Sequence, residues 1–234
     1  MRTLIIGLGE VGNALYNVLK PTYDVQFLDI QEKEIKLPID IIHICFRYCD
    51  NYIDIVNNYI EKYNPLLINI CSTVPVGTTS EFGSLAVHST TRGLHPKLEE
   101  GIKKIIKHIG GEKANEVYAY FKSAGIDCIC HKKPETTELA HILNNAAYGI
   151  NLMLADEMQK ICRYYGVDYY ESVMKYTETN NEGYIALDNP SKVRPILTPP
   201  NGWIGGHCVQ MSANLIPEEI RGNLIKELTT YGDD

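Results

Sequence analysis

The sequence lacks an uninterrupted apolar run of the ~18 residues that a transmembrane helix requires. It is also short of positive charge, because 22 lysines and arginines against 29 aspartates and glutamates leave a formal net charge of −7. That balance argues against nucleic acid or an anionic membrane as the main partner. A strand pattern begins within the first residues, so we expect no signal peptide and a cytoplasmic protein.

The sequence has seven cysteines but no Cys-x-x-Cys pair. An odd number of cysteines without that spacing, in a chain with no expected secretory signal, favours reduced thiols over disulfides or zinc ligands. Internal repeats and low-complexity segments are also missing. With 234 residues, the chain is long enough to bury a core as one large domain or two small ones.

A glycine-rich turn, made of Gly7, Leu8, Gly9, Glu10, Val11 and Gly12, stands near the start of the chain. A buried-strand pattern precedes this turn and a helical pattern follows it. In such turns the first glycine permits the tight bend, the second lets a pyrophosphate approach the backbone, and the third allows close helix–strand packing. The helix N-terminus offers amide donors to the pyrophosphate. The alternative is a purely structural turn, but the flanking elements favour dinucleotide binding.

The second strand pattern ends on Asp29, about 20 residues beyond the first glycine. A carboxylate at this place accepts hydrogen bonds from the adenosine ribose hydroxyls and repels a 2′-phosphate. We therefore expect the cofactor to be NAD rather than NADP.

Strand and helix patterns alternate through the first half, which predicts a Rossmann-type, doubly wound parallel sheet of the α/β class. We place this dinucleotide-binding domain at residues 1–131, with residues 92–101 as a loop. The segment Ser72–Thr79 follows a strand, at the end of the sheet where such folds bind ligands. The hydroxyls of Ser72 and Thr73 are therefore candidates for contact with cofactor or substrate, although the segment alone is more typical of a capped helix start.

The second half, residues 132–234, reads as an all-helical dimerisation and substrate domain. It opens with a helical pattern from Pro134 to Tyr165, which would be roughly 45–50 Å long and carries a continuous apolar stripe. We expect this helix to pack against a second subunit in a homodimer. His141 and Asn145 project from one face of it, unless they belong to a merely solvated face. The prolines of residues 179–206 predict an irregular loop.

Gly205-Gly-His-Cys208 places a cysteine directly after a glycine turn. Glycines let backbone approach a ligand closely, and a thiol there can attack a carbonyl carbon if its environment favours the thiolate. The alternative is an inert cysteine in a tight loop. We expect Cys208, His141 and Asn145 to converge on one pocket.

These motifs together resemble the UDP-glucose/GDP-mannose dehydrogenase family of nucleotide-sugar oxidoreductases. The matching segments, in chain order, are the glycine turn, Ser72–Thr79, residues 138–145, Asp156-Glu157 and Gly205–Cys208. The resemblance implies two successive NAD-dependent oxidations that turn a primary alcohol of a small substrate, a sugar or sugar nucleotide, into an acid.

The resemblance also implies roles for single residues. Cys208 would capture the aldehyde as a thiohemiacetal and carry the following thioester. Thr73 would order the catalytic water, and Asn145 would polarise the substrate oxygen. Glu100 matches a glutamate used around hydrolysis, if one residue is deleted from the preceding loop.

Four departures from the family pattern stand beside these matches. His141 replaces a lysine, Ser212 replaces a carboxylate, Pro96-Lys97 replaces a Pro-Glu pair, and we expect the third, uridine-diphosphate-binding domain to be missing. Histidine is mostly neutral at pH 7, so we expect His141 to act as a general base rather than a fixed charge.

Three interpretations follow from these matches and departures. The first is an active NAD-dependent alcohol or aldehyde oxidoreductase on a substrate smaller than, or bound differently from, a nucleotide sugar. The second is a simpler two-electron dehydrogenase of the 6-phosphogluconate-dehydrogenase-like superfamily (prephenate- or hydroxyacid-dehydrogenase-like) with an idle Cys208. The third is a non-catalytic NAD-binding protein.

Overall fold

The computed structural model describes residues 1–29, 34–94, 96–200, 204 and 207–231. The chain forms two compact units, Met1–His141 and Ile142–Asp234. The boundary between them lies inside a long helix, whereas the sequence pattern placed it ahead of that helix, after residue 131. The binding roles that we assigned to the two halves stay predictions.

A sheet of seven strands runs through the described part of the first unit. Its strands are β1 Arg2–Ile6, β2 Asp24–Leu28, β3 Ile41–Ile44, β4 Leu67–Ile70, β5 Ala86–His88, β6 Lys107–Gly110 and β7 Cys128–His131. Their order across the sheet is β2-β1-β3-β4-β5-β6-β7, and β1 to β5 are parallel. The predicted Rossmann-type α/β fold is confirmed.

The last two strands run against the first five, because β6 pairs antiparallel with β5 and β7 pairs parallel with β6. The alternation of strand and helix patterns had predicted parallel strands throughout. An apolar run shows that a strand is buried, but it does not encode the direction in which the strand enters the sheet.

Helices surround the sheet and make up most of the second unit. They are α1 Glu10–Leu19, α2 Tyr52–Tyr63, α3 Leu98–Lys104, α4 Ala114–Ser123, α5 Pro134–Tyr165, α6 Lys175–Ala186, α7 His207–Asn214 and α8 Asn223–Thr230. The predicted long helix has the expected bounds. Within the described ranges, no helix has both the length and the apolar character needed to cross a bilayer.

Helix α3 lies in a segment whose beginning the sequence analysis assigned to a loop. Leu98 and Ile102, one turn apart, are both buried, and acidic residues in its first turn with lysines in its last suit the helix dipole. The pattern was missed because the helix has seven residues and contains Gly101, and glycine lowers the expectation of a helix. This glycine allows the helix to approach Gly93, since a Cβ on Gly101 would lie 2.5 Å from the Gly93 Cα.

Helix α6 corrects the prediction of an irregular loop over residues 179–206. The helix continues to Ala186, after a π-helical turn at Tyr170–Met174. The prolines that suggested a loop begin at Pro190, so they do not interrupt it. The last helix, α8, begins at Asn223, after a separate 3₁₀ turn at residues 218–220.

Alternate residues of the strands build two apolar cores on opposite faces of the sheet. Ile5 and Ile41 belong to one core, whereas Leu4 and Ile42 belong to the other. This alternation follows from the two-residue period of a strand. Both faces are therefore buried, as a doubly wound sheet requires.

The second unit has its own core, in which α5, α7 and α8 meet. Ala146, Val209 and Leu228 are buried in it. Asp156 ties α5 to the C-terminal segment, since its carboxylate accepts a hydrogen bond from the Tyr231 hydroxyl and pairs with Lys160 at 3.0 Å. The Asp156 of the family-like motif therefore has a structural role in this unit.

Gly149, the only glycine inside α5, is required by this packing. A Cβ at this position would lie 2.4 Å from the Val209 Cγ1 and 2.7 Å from the Leu228 Cδ1. We expect Gly149→Ala to lower the free energy of unfolding by about 1–3 kcal/mol through overpacking. Urea unfolding followed by circular dichroism measures this change.

Gly183→Ala is the matched control, because Gly183 lies in α6 and a Cβ added to it would meet nothing within 4 Å. That variant should be unchanged or more stable by about 0.5–1 kcal/mol. Equal effects of the two substitutions would show that helix propensity, not packing against Val209 and Leu228, dominates at Gly149.

Candidate active site

The glycine turn between β1 and α1 has the geometry expected for a dinucleotide. Gly7 has a φ of +92°, and a Cβ on it would lie 2.9 Å from the Phe46 backbone nitrogen. A Cβ on Gly12 would lie 1.9 Å from the Gly7 carbonyl oxygen, so the helix can pack here only on a bare backbone. A Cβ on Gly9, by contrast, would meet nothing within 4 Å. The middle glycine therefore leaves an open approach to the backbone, where a pyrophosphate would fit.

Asp29 and the start of α1 flank this turn. The Gly7 amide donates to the Leu28 carbonyl at 2.9 Å, and the exposed Asp29 follows directly after β2. Glu10 and Val11 form the first turn of α1, with Glu10 exposed and Val11 packed against the core. The glycine turn after β1 and Asp29 after β2, both predicted to bind the cofactor, therefore lie next to each other at the carboxyl ends of their strands.

Ser72 has a structural hydroxyl. It is buried, donates to the Phe46 carbonyl at 2.5 Å and accepts from the Tyr52 hydroxyl at 3.1 Å. These bonds hold the end of β4 against the end of β3. The predicted contact between the Ser72 side chain and cofactor stays a prediction, and the side chain already has protein partners.

Thr73 and His141 lie together, as neither spacing nor periodicity could show. The Thr73 Oγ1 is 3.0 Å from the His141 Nε2. Burial lowers the pKa of His141 to about 4, and the positive charges of Arg92 and Lys107 act in the same direction. His141 is therefore a neutral hydrogen-bonding group at pH 7, and its low pKa makes it a weaker base than the sequence analysis expected.

His88 is a functional candidate that the sequence analysis missed. It is fully buried, with its Nε2 3.3 Å from the Ser72 carbonyl oxygen and its Nδ1 2.8 Å from the Thr137 Oγ1. A carbonyl can only accept, so Nε2 carries the proton and Nδ1 accepts from the threonine hydroxyl. Burial is the main reason that the pKa of His88 is lowered to about 3, and a positive charge on His141 acts in the same direction. The sequence offered only a histidine in a strand pattern.

Glu138 completes the set of side chains around the Ser72–Thr79 loop. Its carboxylate accepts from the Gly77 amide at 2.6 Å and from the Thr79 amide at 2.8 Å. The first two turns of α5 thus contact this loop or His88. Glu138 and His141 contact the loop, and Thr137 contacts His88.

The second unit contains the other predicted residues. Cys208 is exposed in the first turn of α7. The buried Ser212 donates to the Cys208 carbonyl at 2.6 Å and accepts from the Asn145 amide at 2.9 Å. Ser212, a departure from the family pattern, therefore connects Asn145 to the cysteine helix. Gly205 and Gly206 lie outside the described residues.

Glu100 is on the exposed surface of α3, where it pairs with Lys104 at 3.3 Å. This pair is an ordinary helix-surface ion pair between residues one turn apart. The geometry within the first unit gives no support to a role in hydrolysis, which stays a prediction from the resemblance.

The sheet and the open glycine turn put the first unit among Rossmann-type α/β proteins, and comparison with known proteins narrows the class. No family model matches the sequence. The UDP-N-acetyl-D-mannosamine dehydrogenase of Methanococcus vannielii is 29% identical over 190 residues, which cover 74% of this chain and 40% of that protein. This match confirms the resemblance to nucleotide-sugar dehydrogenases, in a chain that spans about two fifths of its relative.

Solved structures show the same fold. The UDP-D-ManNAc dehydrogenase from Pyrococcus horikoshii covers all of this chain with a TM-score of 0.79 at 20% identity, and 68% of that protein is matched. The 3-hydroxyisobutyrate dehydrogenase of Mycobacterium tuberculosis covers 97% of this chain with a TM-score of 0.67 at 12% identity, and 91% of that protein is matched. The architecture is thus shared by long and short dehydrogenases.

The low pKa of His88 predicts acid lability. The folded state holds this ring neutral down to about pH 3, whereas an unfolded histidine binds a proton below about pH 6.5. Stability is therefore complete above pH 6.5 and is lost as the pH falls. We expect His88 alone to remove about 2 kcal/mol of the free energy of unfolding between pH 7 and pH 5.

Urea unfolding of the natural protein and of His88→Gln, at intervals between pH 5 and pH 9, tests this expectation. The variant should lose less stability between pH 7 and pH 5, by that same amount. The two slopes should coincide between pH 7 and pH 9, where neither state titrates a histidine. Equal slopes below pH 7 would show that His88 is not held neutral.

Proposed function

We propose that this protein is an NAD-dependent dehydrogenase that oxidises the primary alcohol of a nucleotide sugar. The observation that carries the proposal is the open glycine turn at Gly9, in a chain whose relative is a UDP-N-acetyl-D-mannosamine dehydrogenase. Gly7, Gly9, Gly12 and the first turn of α1 would hold the pyrophosphate, and Asp29 would hold the adenosine ribose. NAD supplies the hydride acceptor when it is bound.

The chain itself supplies a nucleophile and neutral hydrogen-bonding groups. The thiolate of Cys208 would add to the carbonyl carbon of the aldehyde. The carbon–sulfur bond forms as the carbonyl π bond breaks, and the oxygen takes up a proton to give a thiohemiacetal. After the second two-electron oxidation the carbon stays bound to sulfur as a thioester, which water cleaves to the acid and the free thiol. Thr73, held by His141, would orient that water.

His141 is better suited to orienting the Thr73 hydroxyl than to removing a proton from the substrate. A general base works best with a pKa near the working pH, and the pKa of His141 is about 4. We infer that it acts mainly as a neutral partner for the Thr73 hydroxyl, where the family pattern has a lysine. The alternative function is that of a simpler two-electron dehydrogenase. The fold is compatible with this alternative, since it also matches most of the 3-hydroxyisobutyrate dehydrogenase structure.

We also infer a homodimer built on α5. The apolar stripe predicted from the sequence divides into two sets in the structure. Ile142 and Ala146 are buried, whereas Leu143, Leu154 and Ile161 are exposed. An exposed set of large apolar residues along one helix supports pairing with a second copy.

Cys208→Ser tests the four-electron reaction. With UDP-N-acetylmannosamine as the first substrate tried, the natural protein should form two NADH for each acid released. The variant should stop after the first, because serine replaces the thiolate with a hydroxyl, a much weaker nucleophile at pH 7. NADH absorbance and chromatography of the products measure both steps.

Cys49→Ser is the matched control for this experiment. Cys49 is also an exposed thiol, in the first unit, and it donates a hydrogen bond to the Asn51 side-chain oxygen at 3.3 Å. That variant should keep full acid production. Undiminished acid production by Cys208→Ser would show that the thiol is not the nucleophile, and would favour the two-electron alternative.

Cofactor choice tests the role of Asp29. We expect NAD to bind at least about tenfold more tightly than NADP, corresponding to ~1.4 kcal/mol, because the Asp29 carboxylate repels a 2′-phosphate. Asp29→Ala should narrow this difference, measured by calorimetric titration of both cofactors. Asp24→Ala, at the opposite end of β2, should leave it unchanged. Equal binding of both cofactors to the natural protein would contradict the assignment.

A further inference from the structure

Glu138 is a carboxylate buried inside the first unit, with 1% of its surface exposed. A buried carboxylate is strongly unfavourable unless hydrogen bonds or charges compensate it. Here each carboxylate oxygen accepts one hydrogen bond from a backbone amide. Oε2 accepts from Gly77 at 2.6 Å, and Oε1 accepts from Thr79 at 2.8 Å. Such charge-assisted bonds are short and about twice as strong as neutral ones.

Both amides belong to the loop that carries Thr73. Gly77 has a φ of +96°, a conformation that favours glycine, yet a Cβ on it would meet nothing within 4 Å. The glycine is therefore explained by backbone conformation rather than by lack of space. That conformation presents the Gly77 amide to Glu138.

The opposite end of the loop is held by the same face of α5. His141, one turn after Glu138, contacts the Thr73 hydroxyl at 3.0 Å. Thr137, the neighbour of Glu138, bonds His88, which in turn contacts the Ser72 carbonyl. The loop is therefore attached to α5 near both ends, and Glu138 makes the only ionic attachment described among these contacts.

We propose that Glu138 is the positioning residue that holds the Ser72–Thr79 loop so that Thr73 stays against His141. The inference rests on the proposed function for its kinetic consequence, but the loop geometry can be measured without turnover. Glu138 does not contact the reacting atoms in this scheme; it acts through the backbone of the loop.

Glu138→Gln is the variant that tests the proposal. Glutamine matches glutamate in size, but it replaces one acceptor oxygen with an NH₂ group, which would face a backbone N–H. One of the two bonds is then lost and the loop end is released. A misplacement of about 1 Å can reduce turnover by about 10²-fold. We expect kcat to fall on that order, while KM for NAD changes less than about threefold.

The second readout is the titration of His141 in a ¹⁵N-histidine-labelled protein, followed by nuclear magnetic resonance. Release of the loop exposes the ring to water, so the pKa of His141 should rise from about 4 toward its ordinary value. Loss of a nearby negative charge would by itself lower that pKa. A rise therefore reports loop release and not the missing charge.

Glu135→Gln is the matched control, because Glu135 bonds the Ser80 hydroxyl just beyond the loop from the same helix, at 2.6 Å. This variant should change kcat less than about twofold and leave the pKa of His141 unchanged. If Glu138→Gln does not fold, Glu138→Asp replaces it. Aspartate keeps the charge but is one methylene shorter, and it should give a smaller change of the same sign.

An unchanged His141 titration in a folded Glu138→Gln protein would overturn the proposal. An altered titration in a protein without dehydrogenase activity would support Glu138 as the positioning residue while rejecting the proposed function. The two inferences can therefore fail separately.

Discussion

The start of α5 packs on bare backbone of β6, and the arrangement around Thr73 depends on that contact. A Cβ on Gly110 would lie 2.6 Å from the Lys133 carbonyl oxygen and 2.6 Å from the Thr137 Oγ1. Any side chain at Gly110 would therefore push the helix away from the sheet. At the distance that glycine allows, the side chains of the first two helical turns reach His88 and the loop after β4.

The electrostatic character of this region follows from the same close packing. His88 is buried and His141 is partly buried, and two cations, Arg92 and the buried Lys107, lie near enough to disfavour an imidazolium. The Lys107 amine donates to the Thr90 carbonyl at 3.0 Å, and burial lowers its own pKa. Histidine at position 141 therefore gives a neutral group where the family-like pattern has a permanent cation. The chemistry proposed here uses hydrogen bonding at that position instead of fixed charge.

The predicted site residues form two groups, one in each unit, and each group is positioned by contacts within its own unit. Within the first unit, the glycine turn, Asp29 and the segment after β4 are at the carboxyl ends of their strands, as parallel topology requires. Within the second unit, Asn145 is connected through Ser212 to the helix of Cys208. The convergence of Cys208 and His141 on one pocket stays a prediction. Ser212 has a defined use in this chain, since it accepts from Asn145 and donates to the cysteine helix.

The α/β class, the glycine turn, the long helix and the candidate residues Thr73, His141, Asn145 and Cys208 could all be predicted from the sequence alone. These features depend on local periods and on glycine chemistry, which act within one element or its neighbours. The reversed direction of β6 and β7, the helix α3, and the contacts of His88 and Glu138 became known only from the folded chain. The contacts of His88 with Thr137 and of Glu138 with Gly77 and Thr79 join residues 49 to 61 positions apart in the chain, and the pKa of His141 depends on burial by residues from distant parts of the chain. Local patterns carry no information about which distant groups exclude water from a side chain, so only the folded chain could supply it.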